Sequence, residues 1–79
     1  MKTVFIRLST IADVRDFVNI VTAYNGDIDL SSGRYVVDGK SIMGIFSLDL
    51  LKPITLTASK EDTALFEKIA RFIDRTSVV

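Results

Sequence analysis

Residues 40–49 read Lys40-Ser41-Ile42-Met43-Gly44-Ile45-Phe46-Ser47-Leu48-Asp49. The residues just before them, Gly33-Arg34-Tyr35-Val36-Val37, are rich in β-formers, so a helix is expected to begin close to Ser41, after a strand. A serine there caps the helix, because its oxygen accepts a hydrogen bond from a free N–H of the first turn. At about 100° per residue, Ile45 and Leu48 fall on one side of that helix. Met43, Phe46 and Ser47 fall on the other, with Ile42 flanking them. One short helix cannot bury both sides against a single sheet. The second apolar side is therefore expected at the surface, where it would dock a partner or a second copy in a homodimer. The helix should end near Leu50 or Leu51, since Pro53 cannot continue it. Its N-terminus is the positive end of the helix dipole, so Ser41 stands where a phosphate would be well placed.

Upstream, Asp27-Ile28-Asp29-Leu30 alternates, Ser31-Ser32-Gly33 is a turn, and the run to Val37 completes a hairpin. Asp38-Gly39 is a second turn. Asp27, Asp29 and Asp38 read as hairpin residues and not as a metal site. At the start of the chain, Val4, Ile6 and Leu8 alternate with Phe5 and Arg7, which predicts a first strand. Ser9 or Thr10 can cap a following helix, with Asp13 three residues after Thr10 as a loose capping box. Ile11, Val14, Phe17, Val18 and Val21 give that helix an apolar face opposite Asp13, Arg15, Asp16 and Asn19. Gly26 is suited to a left-handed cap at its end. Downstream, Ile54-Thr55-Leu56-Thr57-Ala58 predicts a strand. Ser59 is expected to cap a last helix, with Glu61 and Asp62 in its first turn and Arg71 and Arg75 near its end. Leu65, Ile69, Phe72 and Ile73 form the apolar side of that helix, joined by Phe66 and Ala70, and Thr76 to Val79 reads as a loose tail. The order β-α-β-β-α-β-α points to an α+β open-faced sandwich: a four-stranded antiparallel sheet with helices on one face.

Length, composition and charge narrow the function. The 79 residues suffice for a single domain, residues 1–79, and the 48% hydrophobic content supplies a core. Ten basic and ten acidic residues cancel, and no basic run suggests a nucleic-acid surface. No stretch is long enough to span a membrane, and the N-terminus lacks the long apolar centre of a signal peptide, so a cytoplasmic domain is expected. The chain contains neither histidine nor cysteine. The commonest nucleophiles, bases and soft metal ligands are therefore missing, and no metal or cofactor is expected.

The run Lys40 to Gly44 resembles, residue for residue, the Lys-Ser-Ile-Met-Gly pattern around the regulatory serine of the HPr family. These are the small phosphocarrier proteins of the bacterial sugar phosphotransferase system. The match falls at the expected strand-to-helix junction, which makes it specific. The resemblance implies the HPr fold along nearly the whole chain. It also implies a second site, a histidine within His-Ala-Arg-Pro before the first helix, which accepts a phosphoryl group and passes it on. Counting back from Ser41 without a gap places that histidine near Thr10, its arginine on Ala12 and its proline on Asp13. None of that motif is present. A threonine hydroxyl with no nearby base would give a phosphoester too inert for relay. Asp13 would repel an incoming phosphoryl donor.

What the resemblance then implies is a member without the carrier histidine, similar to the catabolite-repression paralogue Crh, and not an enzyme. Its serine, Ser41, would be phosphorylated by an HPr kinase/phosphorylase-like enzyme. Ile42, Met43 and Phe46, with Lys40 and Ser47 beside them, would meet a transcription regulator or phosphotransferase components. Lys40 would otherwise be a solvated side chain. The alternative is a divergent HPr-fold paralogue that serves as a binding or assembly scaffold unconnected with sugar transport.

Overall fold

The computed structural model describes residues 2–60 and 62–74. Its elements are β1 (Lys2–Ile6), α1 (Ile11–Thr22), β2 (Ile28–Ser32), β3 (Tyr35–Asp38), α2 (Ile42–Phe46), β4 (Ile54–Ala58) and α3 (Thr63–Lys68), followed by a 3₁₀ turn at Ala70–Phe72. The four strands form one antiparallel sheet in the order β1-β4-β2-β3. This is the open-faced sandwich expected from the element order.

Alternation decides which face of the sheet is buried. Ile54, Leu56 and Ala58 point one way along β4, opposite Ile6, Val4 and Lys2 of β1 on one side. Leu30 and Ile28 of β2 lie on the other side, opposite Leu56 and Ala58. The apolar members of these rows meet Val14, Phe17 and Val21 of α1, Ile45 and Leu48 from α2 and its exit, and Leu65, Ile69 and Phe72 of the last helical segment. Phe17 and Phe72 meet edge to face, with ring centroids 5.9 Å apart, which ties α1 to the end of the chain. The opposite face of the sheet carries Thr3, Phe5, Asp29, Ser31, Thr55 and Thr57, and no helix of the described residues covers it.

The β2–β3 hairpin closes through Gly33 and Arg34, with Gly33 at φ 60. A two-residue hairpin loop with glycine at its first central position is the type II′ arrangement, which a Cβ there would strain.

Several local expectations are corrected. Ile11 is exposed, because it lies in the first turn and off the stripe made by Val14, Phe17 and Val21. Gly26 is not left-handed, since Gly33 is the only glycine with positive φ among the described residues. The end of α1 tightens instead, with Ala23 N–H donating to Ile20 O and Tyr24 N–H to Val21 O. Helix α2 stops at Phe46, not near Leu50 or Leu51. The Ser47 hydroxyl donates to Gly44 O at 2.5 Å, and Ser47 and Leu48 N–H reach back three residues, which tightens the turn and drops Leu48 into the core.

The last helix is capped by Asp62, whose carboxylate accepts from Ala64 and Leu65 N–H, and not by Ser59. Ser59 Oγ accepts from Asp27 N–H at 2.9 Å and so ties the start of β2 to the end of β4. Ala70 is exposed, off the buried face of Leu65, Ile69 and Phe72. Ile73 does not extend the helix. It pairs with Ile6, flanked by Arg7 N–H to Phe72 O and Asp74 N–H to Phe5 O. The chain thus returns along the outer edge of β1. The expectations for Glu61, Arg75 and Thr76 to Val79 lie outside the described residues. No helix of the described residues is long and apolar enough to cross a membrane.

Candidate functional site

Ser41 stands where β3 has ended and the chain turns back over the sheet. Gly39 N–H donates to Ile28 O, Lys40 N–H to the Asp38 carboxylate, and Ser41 N–H to Asp38 O. These three bonds hold Ser41 in extended backbone, with φ −104 and ψ 108. From there its Oγ accepts from Gly44 N–H at 3.2 Å, while its carbonyl accepts from Ile45 N–H. Ser41 is the N-cap of α2, as its sequence position predicts. The side chain is partly exposed, and no acidic residue lies in the first turn of the helix.

Gly44 matters to this geometry. A Cβ there would lie 3.2 Å from Val37 Cβ and 3.3 Å from Ser41 Oγ. Glycine therefore lets α2 lie close on β3 and keeps the space beside the hydroxyl clear.

The two sides of α2 separate as the helical spacing requires. Ile45 is fully buried and fastens the helix to the core. Met43 is 78% exposed, Phe46 41% and Ile42 37%, with Ser47 exposed beside them. These side chains form the exposed apolar side of the helix that Ser41 caps. Met43 is adaptable and Phe46 brings large area, both useful in a recognition surface. Lys40 departs from its expected solvated state. It is half-buried, its ammonium donates to Tyr24 O at 2.7 Å, and it lies 5.8 Å from the centroid of the Tyr24 ring. It clasps the end of α1 to the entry of α2. Sequence spacing held no signal for this contact, which joins residues 16 apart.

Thr10 occupies the other helix start. Its Oγ1 accepts from Asp13 N–H at 3.0 Å, and the Asp13 carboxylate accepts from Ser9 N–H at 3.1 Å. An open cleft adjoins this turn, lined by Arg7, Asp13, Arg71 and Asp74 among others. Both arginines are already engaged: Arg7 Nε with Asp74 at 3.2 Å, and Arg71 with Asp16 at 3.0 Å. The turn therefore holds a capping alcohol, a carboxylate at its mouth and two paired guanidinium groups. Nothing there can form a phosphohistidine, since the chain has no histidine. Thr10 and Ser41 are thus on separate helix starts, and among the described residues no group of histidine, cysteine or carboxylates could hold a metal ion.

Comparison with known proteins follows the same lines. Residues 14–75 match the family model described as the PTS HPr component phosphorylation site. No curated protein matches the chain. Among solved structures, the chain is similar to HPr-C-His from Thermoanaerobacter tengcongensis, with a TM-score of 0.75 and 23% identity over 90% of this chain and 89% of that one. It is also similar to a phosphocarrier protein HPr from Bacillus anthracis str. Ames, with a TM-score of 0.64 and 28% identity over 92% and 94% of the two chains. The first likeness concerns the fold. The family match spans well over half of the sequence and contains the whole Lys40–Gly44 run, and this chain therefore belongs to the HPr family of the phosphotransferase system.

Proposed function

We propose that this chain is a regulatory member of the HPr family that is phosphorylated on Ser41 and docks protein partners through α2. The family consists of phosphocarrier proteins and not of catalytic enzymes. With no histidine in the chain, the histidine relay has no nitrogen to use; counted back from Ser41 without a gap, its position falls near Thr10. The regulatory half of the family's chemistry is what remains.

One observation carries this reading. Ser41 is partly exposed at the head of α2, the same short helix that exposes Met43 and Phe46. A phosphate on Oγ brings a charge of about −1.5 to −2 and three acceptor oxygens. These can take over the Gly44 N–H that the hydroxyl now holds. The first turn contains no acid to repel them, and the positive end of the helix favours them. The Lys40 ammonium stays with Tyr24, so backbone N–H groups are the nearer partners for the phosphate. Phosphate and apolar patch together would form one surface for a transcription regulator or a phosphotransferase component, with Ile42 and Ser47 at its rim.

Incubation with an HPr kinase and ATP, followed by mass measurement, tests the reading. One phosphate is expected on the native chain and none on Ser41→Ala. Labelling that persists in Ser41→Ala ends the assignment. Acid-labile phosphate passed through this chain from the phosphotransferase enzyme would end the claim that the relay is lost. If no HPr kinase modifies the chain while a stable complex forms through Met43 and Phe46, the scaffold reading takes its place.

A further inference from the structure

The two edges of the sheet are treated differently. The outer edge of β1 is occupied at Phe5, Ile6 and Arg7 by the returning segment Phe72 to Asp74. Strand β3 has β2 on one side and no strand on the other among the described residues. Its Tyr35 and Val36 are 70% and 65% exposed. The two-residue loop makes Ser32 and Tyr35 the closing hydrogen-bonded pair of the hairpin, so alternation turns the Val36 N–H and C=O away from β2. An edge of this kind is a template for another strand.

The charges on the edge say which strand. Read from the loop residue Arg34 along the edge, the sequence is Arg34-Tyr35-Val36-Val37-Asp38. Laid antiparallel on a second copy about a twofold axis at Val36, it places Arg34 opposite Asp38 at both ends. Val36 faces its own equivalent between them, and Tyr35 faces Val37. Sliding the pair by two residues either way sets Arg34 against Val36 or Lys40 and leaves Asp38 against Ser32 or Val36. Only the register centred on Val36 matches the charges.

Neither charged group has a counter-ion among the described residues. The Arg34 guanidinium makes no ion pair with a described residue. Asp38 lies directly opposite Asp29, a like-charge pair on one face of the sheet, and among the described residues its carboxylate receives only the Lys40 backbone N–H. An arginine from a second copy would reach the acidic pair from the open side. We propose that β3 pairs with β3 of a second copy of this chain, joining two four-stranded sheets into a continuous sheet of eight strands, with Arg34 and Asp38 setting the register. The paired segment is short, so the dimer is weak and transient.

Sedimentation equilibrium of the native chain, in a concentration series reaching about 1 mM, should show monomer passing to dimer. Arg34→Asp should raise the dimer dissociation constant roughly ten-fold or more, and adding Asp38→Arg in the same chain should restore it. Asp38→Arg also removes the acceptor of the Lys40 N–H, so a second readout avoids that position. The chain has no cysteine, which makes Val36→Cys a unique probe. Under mild oxidation it should form an interchain disulfide much faster than Thr3→Cys on the far edge strand. A monomer at every concentration overturns the proposal. So does a dimer indifferent to Arg34→Asp, a dimer dissolved by Met43→Asp alone, or equal crosslinking of the two cysteine variants.

Discussion

Thr10 and Ser41 do the same mechanical work at two helix starts. Each sits in extended backbone, and each side-chain oxygen accepts from the N–H three residues on, at 3.0 Å for Thr10 and 3.2 Å for Ser41. The difference is the residue that donates. At α1 it is Asp13, whose carboxylate turns back to Ser9 N–H and fills the positive end of the helix with a fixed charge. At α2 it is Gly44, which brings no side chain and leaves the space beside the hydroxyl open. One cap is closed electrostatically and the other is vacant. The cleft beside Thr10 shows the same trend, because both of its arginines are already paired. A helix cap is thus a structural device first. What stands at the third helical position decides whether it can also receive an anion.

The comparison can be broken most severely by removing what seats α2. Ile45 is fully buried on the side opposite Met43, so Ile45→Ala should cost about 2–5 kcal/mol in urea unfolding. A loss below about 1 kcal/mol would mean that the vacant cap is not held in place by the core. Next come the caps themselves. Thr10→Ala and Ser41→Ala should each cost about 1 kcal/mol, because each leaves one N–H without its acceptor. The two variants should match in stability and part company in kinase labelling, which only Ser41→Ala abolishes. Labelling lost equally in both would erase the distinction drawn here.

Asp13→Asn tests the closed cap from the other direction. It removes the fixed charge while keeping an acceptor for Ser9 N–H, and should cost about 0.3–1 kcal/mol, less at high salt. The smallest effect on stability is expected from Met43→Asp, which puts an acid into the first turn of α2. Thermal unfolding should change by no more than about 0.5 kcal/mol, since Met43 is exposed. Labelling of Ser41 should nevertheless slow markedly, because the variant puts a negative charge where the phosphate must arrive. Undiminished labelling would show that charge at the head of α2 is unimportant.

Most of the framework is legible in the order of residues alone. Alternation in Ile54 to Ala58 and the three-and-four spacing of Ile11, Val14, Val18 and Val21, with Phe17 beside them, identify strand and helix; Val14, Phe17 and Val21 are buried as expected, and Ile11 is not. Ser41 and Thr10 were legible as caps because capping is a contact over three residues. The two-sided character of α2 was also visible, since a helical wheel needs only the order of residues. The errors lie where two local signals competed. Ser59 and Asp62 are both good caps, and Ser59 lost because the start of β2 offered it Asp27 N–H. Ser47 shortened α2 because its hydroxyl competes for the backbone of the preceding turn.

Local order of residues thus settles the elements, the buried faces and the presence of a capping serine without histidine. Contacts between distant residues settle the rest. The Lys40 ammonium lies on Tyr24 O, Asp74 returns to Arg7, and Ile73 covers one sheet edge while β3 is left open. Helical and strand periodicity arises from the backbone of neighbouring residues, so it is written in sequence. The partner of a charged tip or a strand edge depends on where the chain comes back in space, and only the packed core fixes that.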